Sequence, residues 1–228
     1  MIPARKGGPL GWAWGRYIDH KFRATFRALW TRGALPDAGT PLLVYANHTN
    51  WWDGFVAHQL CRAAGWEGYC MMEEQNLTRY RFLARLGAFS VRRGEAGSAV
   101  ETLRYAKGLL SRPGAAVFLF PQGKLSPFAA RPLRFERGLE VLARRSGARC
   151  LPLALRYAFF EGERPDVLCE VGPVHAPLPL AECEARLTSL LDAVSAAQDV
   201  SEFTPRVQGA RGVAETWDRV RGLSREGA

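Results

Sequence analysis

His48 and Asp53 stand five residues apart in the run Tyr45-Ala-Asn-His-Thr-Asn-Trp-Trp-Asp53-Gly. An imidazole held by a carboxylate is a general base with a fixed tautomer and orientation, suited to drawing the proton from a hydroxyl. The spacing alone equally describes a surface histidine beside an aspartate that caps a helix. A metal reading would recruit His58, five residues beyond Asp53. Five residues of helix turn roughly 500°, which points the two side chains about 140° apart. That geometry suits no shared ion, and no metal is expected.

The flanking elements decide between a site and a coincidence. Pro41-Leu-Leu-Val-Tyr-Ala46 is apolar and β-prone, a short buried strand. Phe55, Val56 and Leu60 then follow at helical spacing, with Asp53 placed to cap that helix. The histidine therefore sits where a strand leaves a sheet, the edge at which α/β folds gather their chemistry. A second buried strand, Ala115-Ala-Val-Phe-Leu-Phe120, ends in Pro121-Gln-Gly-Lys-Leu-Ser-Pro127, where Pro121 and Gly123 predict a tight turn. Between them, Gly87-Ala-Phe-Ser-Val-Arg-Arg93-Gly94 reads as a strand delivering arginines to a loop, and Arg131-Pro-Leu-Arg-Phe-Glu-Arg-Gly138 as the opening of a helix. Each feature taken singly is an ordinary turn or a solvated arginine; together they are the strand ends of one site.

In this order the blocks resemble the 1-acylglycerol-3-phosphate acyltransferases and their PlsC-like lysophospholipid acyltransferase relatives. Asn47-His48 and Asp53 match the family's Asn-His-x-x-x-x-Asp. Gly87, Val91 and Arg93 match Gly-x-x-Phe-(Ile/Val)-x-Arg, with Ser90 where Phe is usual. Phe120, Pro121, Gly123 and Ser126 match Phe-Pro-Glu-Gly-Thr-Arg-Ser, and Phe135 and Gly138 the Phe-x-x-Gly after it. Cys150-Leu-Pro152-Leu-Ala-Leu155 meets a fourth block, an apolar strand with an inward proline. The resemblance spans roughly residues 40 to 175.

It implies an O-acyltransferase in which His48 deprotonates an acceptor hydroxyl as that oxygen attacks the thioester of acyl-CoA or acyl-carrier protein, with Asp53 orienting the imidazole. No Gly-x-Ser-x-Gly is present, which favours direct transfer over an acyl-enzyme. Backbone N–H groups around Gly123 are candidate oxyanion donors, and Gln122, Lys124, Arg93 and Arg134 candidates for binding acceptor or other anionic groups. The third block departs from the family, with Gln122 for Glu, Lys124 for Thr and Leu125 for Arg. Loss of that arginine removes a fork of donors suited to phosphate. A non-phosphate acceptor, such as a glycolipid or carotenoid glycoside, therefore stands beside lysophosphatidate. A non-catalytic lipid-binding relative and a thioesterase using water are the remaining classes. The implied co-substrate is a thioester, with no further cofactor.

Composition fits a membrane-surface enzyme. Of 228 residues, 31 are Lys or Arg against 22 acids, giving +9. Residues 1–34 hold seven of the bases against Asp19 alone, interleaved with Trp12, Trp14, Tyr17, Ile18, Phe22, Phe26, Leu29 and Trp30. On a helical wheel most of these share one arc opposite Arg16, His20, Arg23 and Arg27, a pattern that suits an anionic lipid interface. Packing against the protein's own core is the alternative for that helix. Nucleic acid is not expected, since the basic charge comes with no recognition motif. No run is long and apolar enough to span a bilayer, and the N-terminus lacks the apolar core of a signal peptide. Cys61, Cys70, Cys150, Cys169 and Cys183, odd in number and scattered, read as reduced and buried. Trp51 and Trp52 suit either an acyl groove or core packing. The expected location is the cytoplasmic face of the membrane, peripherally bound.

The remaining pattern predicts a strand over 68–72, helices over 78–86, 97–111 and 180–198, a strand over 167–171, a loop over 199–212 and a last peripheral helix over 213–222. Alternating strands and helices imply an α/β fold with a mixed, largely parallel sheet flanked by helices and preceded by the amphipathic helix. The expected division is an interface helix over 1–34 and an acyltransferase domain over 35–228.

Overall fold

Leu42, Val44 and Ala46 turn to one side of strand β2 (Leu42–Ala46), and Leu43 and Tyr45 to the other; all five are fully buried. A strand apolar on both faces belongs in the middle of a sheet covered on both sides, and that is its place in the computed structural model, which describes residues 1–92, 94–160 and 162–221. The remaining strands are β1 (Ala28–Arg32), β3 (Glu67–Glu73), β4 (Ala88–Val91), β5 (Ala115–Leu119), β6 (Arg149–Ala158), β7 (Asp166–Val171) and β8 (Thr204–Gln208). They form one sheet in the order β4-β3-β5-β2-β6-β7-β1-β8. From β4 to β6 the pairing is parallel; β6 and β7 are antiparallel, β7 and β1 parallel, β1 and β8 antiparallel.

The helices are α1 (Gly8–Thr25), α2 (Asp53–Ala64), α3 (Glu74–Arg79), α4 (Ala96–Leu110), α5 (Gly138–Ser146), α6 (Leu180–Ala196) and α7 (Val213–Val220). One core lies between the sheet and α4, α5 and α6, built on Leu43, Tyr45, Val117, Leu142 and Leu187. The other packs Phe22 of α1 and Val56 and Leu60 of α2 against Val44, Phe118 and Leu153. The mixed α/β fold with its N-terminal helix is as expected.

Several local expectations need correction. Residues 1–34 are not one helix: α1 ends at Thr25, and Ala28–Arg32 enters the sheet between β7 and β8. The cause is a distant carboxylate. Buried Asp166 accepts from Arg27 Nε (2.9 Å) and Trp30 Nε1 (2.7 Å), which draws this segment onto β7. Within α1, Ile18 and Phe22 are buried and Trp14 stacks on Phe82, while Leu10, Trp12 and Tyr17 are exposed. Asp19, out of place on an apolar arc, pairs with Arg62 of α2 at 2.5 Å. The helix thus both packs on the body and presents aromatics outward.

The predicted loop over 199–212 contains β8, an edge strand whose Pro205 and single buried Val207 hid it from a pattern search. The predicted helix over 78–86 is α3 followed by a 3-10 turn over Arg81–Leu86. Arg131 to Arg137 is loop, and α5 begins only at Gly138. The five cysteines are free, and all but the half-buried Cys70 are buried. No helix among the described residues is long and apolar enough to cross a membrane.

Candidate active site

Asn47, the first residue beyond β2, is buried, and its amide is paired twice with β6: Leu155 N–H donates to Oδ1 (2.7 Å) and Nδ2 donates to Leu155 O (2.9 Å). This clamp fixes the chain just before His48. Both backbone groups of His48 are then held by the loop after β5. Its N–H donates to Gln122 Oε1 at 2.8 Å, and its carbonyl accepts from Ser126 N–H at 2.8 Å. The ring stacks on Phe120 with centroids 4.5 Å apart. The two matched loops therefore meet at one histidine.

His48 Nδ1–H donates to Asp53 Oδ2 at 2.8 Å. The same oxygen accepts the N–H groups of Thr49 (2.7 Å) and Asn50 (2.9 Å), and Oδ1 accepts the Tyr157 hydroxyl (2.7 Å). A carboxylate only accepts, so Nδ1 carries the proton of this bond, and in the neutral ring the lone pair lies on Nε2. Asp53 is fully buried whereas a quarter of the His48 side chain is exposed, so the pair is anchored inside and reachable outside. Burial, with the Asp53 charge beside it, pushes the Tyr157 phenol well above its usual range, which keeps it a donor.

Asp53 was expected to cap α2. Trp52 is instead the N-cap residue, and Asp53 occupies the first helical position with its side chain turned back onto the preceding turn. The carboxylate organises the His48 loop rather than the helix end.

In the second loop Gln122 is buried with its carbonyl oxygen committed to His48 N–H, so it braces the histidine. A glutamate in that place has the same acceptor to offer, and the departure at this position leaves the brace intact. Gly123 takes a left-handed conformation (φ 67°), and its N–H donates to Phe120 O at 2.9 Å, closing the turn. That N–H is therefore committed. Among the described residues, the N–H groups of Lys124 and Leu125 have no partner within the molecule, and both side chains are exposed. Arg134 is exposed, its backbone N–H held by Glu184 of α6 at 3.0 Å. Two residues on, Glu136 N–H donates to Pro121 O, which sets this segment beside the loop. Arg93 lies outside the described residues.

Tyr157 went unnoticed in the sequence: it lies 104 residues from Asp53 and belongs to no block. Asn47 was visible only as a motif letter, without its clamp role. Trp52 packs on Phe26 and Phe55, and Trp51 is half exposed against Phe55 and Tyr80, two residues from the fully buried Asp53. Among the described residues no group of three or more His, Cys, Asp or Glu side chains is placed to hold a metal ion; His58 faces Asp19, Arg62 and Lys6 at the α1 side of α2.

A family model described as Acyltransferase matches residues 26–156, more than half of the chain. Among solved structures, the 1-acyl-sn-glycerophosphate acyltransferase PlsC from Thermotoga maritima has a similar fold, with a TM-score of 0.54, 17% sequence identity and 83% of each chain covered. No curated protein matches the chain.

Proposed function

Because the chain belongs to the acyltransferase family, we propose that His48 and Asp53 carry its acyl transfer, moving a fatty acyl group from a CoA or carrier-protein thioester onto a hydroxyl of a membrane lipid. The observation that carries this reading is the His48 Nδ1–Asp53 bond, with the imidazole partly exposed at the carboxyl edge of the sheet. Nε2 takes the proton from the acceptor hydroxyl as its oxygen adds to the thioester carbonyl. The tetrahedral intermediate then expels the thiolate, which recovers the proton from the imidazolium, leaving an ester and a free thiol. Buried Asp53 stabilises the imidazolium between the two steps. The N–H groups of Lys124 and Leu125, unpartnered among the described residues, are the donors proposed for the carbonyl oxygen, since Gly123 N–H closes the turn. The acceptor itself acts as nucleophile, so no acyl-enzyme is required.

Two acceptors are supported by different observations. The likeness of fold to a 1-acyl-sn-glycerophosphate acyltransferase favours lysophosphatidate, with Lys124 and Arg134 meeting its phosphate. Exposed Leu125, where the family places an arginine, favours an uncharged hydroxyl such as that of a glycolipid. The protein is proposed to work at an anionic membrane surface on the cytoplasmic side, reached through exposed Trp12, Leu10 and Tyr17 and the exposed bases Arg16, Lys21 and Arg23 of α1. Such binding weakens with salt, because exposed charges are screened within about 10 Å at 0.1 M.

The test follows the fate of a radiolabelled acyl group presented as acyl-CoA or acyl-carrier protein with a panel of lysolipids and glycolipids. Label in lipid supports the proposal. Label in free fatty acid alone points to a thioesterase, and label that never leaves the donor to a binding protein.

A further inference from the structure

β6 runs parallel to β2, β7 and β1 run opposite to it, and β8 runs with it again. The end of β8, the start of β1 and the β6–β7 turn therefore all lie at the sheet edge that carries His48. There α7 leaves β8, and its root is stapled to the root of α1. Gly209 N–H donates to Arg27 O (2.8 Å), Ala210 N–H to Arg23 O (2.7 Å), and Arg23 Nη1 to Gln208 O (2.7 Å). A side-chain carbon at Gly209 would overlap the Phe26 carbonyl oxygen, so only glycine lets the two chain segments approach this closely. The first turn of α7 is tied to the β6–β7 turn by Val213 N–H, which donates to Glu163 Oε1 at 2.8 Å.

From this root α7 presents Val213, Trp217 and Val220, spaced four and three residues apart on one helical face and exposed by 76%, 61% and 74%. In the same β6–β7 turn Phe159 is 68% exposed. Trp51 and Leu125, the exposed apolar residues of the two catalytic loops, belong to this edge too. Exposed arginines flank the stripe: Arg211, Arg219 and Arg221, with three bases against Glu215 and Asp218 along the segment 209–221. Large apolar side chains gathered at one edge and bordered by cations fit an anionic bilayer, which accepts the tryptophan and valines into its interface and the arginines at its headgroups.

We infer that α7, with Phe159, is a second lipid-inserting element that works beside α1, so that two helices stapled at their roots seat the edge bearing His48 on the membrane. The inference rests on the proposed lipid acceptor and extends it to a surface outside the matched family segment, which ends at residue 156. The arrangement turns the mouth of the site toward acceptors that never leave the bilayer.

The test compares the full chain with Trp217→Glu and Trp217→Phe in cosedimentation with vesicles of phosphatidylcholine and phosphatidylglycerol in equal parts. Burying or excluding one tryptophan changes affinity roughly tenfold or more. Trp217→Glu is accordingly expected to weaken binding about tenfold, and Trp217→Phe to bind nearly as wild type. Bromine-labelled phospholipid should quench wild-type tryptophan fluorescence more than that of Trp217→Phe. Acyl transfer to a detergent-dispersed acceptor should be unchanged in both variants, which separates this inference from the proposed chemistry. Equal binding by Trp217→Glu and wild type, or equal quenching of wild type and Trp217→Phe, would overturn the inference while leaving the acyl-transfer proposal to its own assay. Wild-type protein that ignores the vesicles while transferring acyl groups in detergent would overturn it as well.

Discussion

Asp53 receives four hydrogen bonds and is shut from solvent, whereas Lys124 and Leu125, in the facing loop, stand exposed with unpartnered N–H groups. The second loop holds His48 through Phe120, Gln122 and Ser126, and leaves Lys124 and Leu125 between them open. One side is built so that nothing moves, and the other so that something else can bind. The difference fits the departures at Lys124 and Leu125, which face solvent, while buried Gln122 keeps the acceptor that His48 N–H needs. A change at Asp53 disturbs four partners, and a change at Leu125 disturbs none.

Asp53→Asn probes the fixed side and carries the largest effect. An asparagine can still accept from Thr49 and Asn50 and present its amide to the Tyr157 oxygen, so the fold should survive. It loses the charge that stabilises the imidazolium, and kcat should fall about 10²–10⁴-fold at an unchanged melting temperature. A loss of stability equal to the loss of activity would mean that Asp53 is mainly structural.

Leu125→Arg probes the open side. It restores a forked donor, and because a charge-assisted contact contributes about 1.5–3 kcal/mol, kcat/KM for lysophosphatidate should rise roughly tenfold or more. Gln122→Glu alone should change acceptor preference little, since the brace is an acceptor in either form. A large gain from Gln122→Glu and none from Leu125→Arg would reverse the roles of the two positions. Lys124→Ala should raise KM for a phosphate-bearing acceptor and leave an uncharged one unaffected.

Tyr157→Phe sharpens the fixed side further. Removing one of four donors to Asp53 should lower kcat several-fold, with KM unchanged, a charged hydrogen bond typically being worth about 1.5–3 kcal/mol. If both parameters stay at wild-type values, Oδ1 needs no partner.

The smallest effect concerns stability alone and tests the frame that carries the pair. Burial holds the imidazole of His58, on α2, down to about 4. The unfolded chain binds this proton below about pH 6.5 and the folded protein only below about 4, so stability is present above 6.5 and is lost as pH falls through that window. The loss is on the order of 3 kcal/mol. His58→Gln should flatten the dependence of melting temperature on pH between 4 and 6.5, and an unchanged curve would show that His58 titrates normally.

The legible parts of the molecule were those written in neighbouring residues. β2, β5 and β6 announce themselves as apolar runs, and His48, Asp53 and the Pro121–Pro127 turn as motif letters at their ends. What stayed hidden depends on partners far along the chain. Leu29 and Trp30 fit a helical arc until buried Asp166 pulls them into the sheet, and β8 pairs with β1 despite a proline. Tyr157 acquires its role only because β6 lies next to β2. The helix-capping role expected of Asp53 failed for a local reason: the N–H groups of Thr49 and Asn50 and the His48 ring compete for the same oxygen and win.

The central claim is that His48 acts as the general base for both kinds of acceptor, and it is tested most directly in one assay. Wild type and His48→Ala are compared for transfer of labelled acyl groups to lysophosphatidate and to a glycolipid, with folding checked by melting temperature. General-base loss typically costs about 10²–10⁴-fold, and His48→Ala should lose that much with either acceptor while keeping its fold and its binding to anionic vesicles. A folded His48→Ala protein that transfers at near wild-type rate to either acceptor would contradict the account.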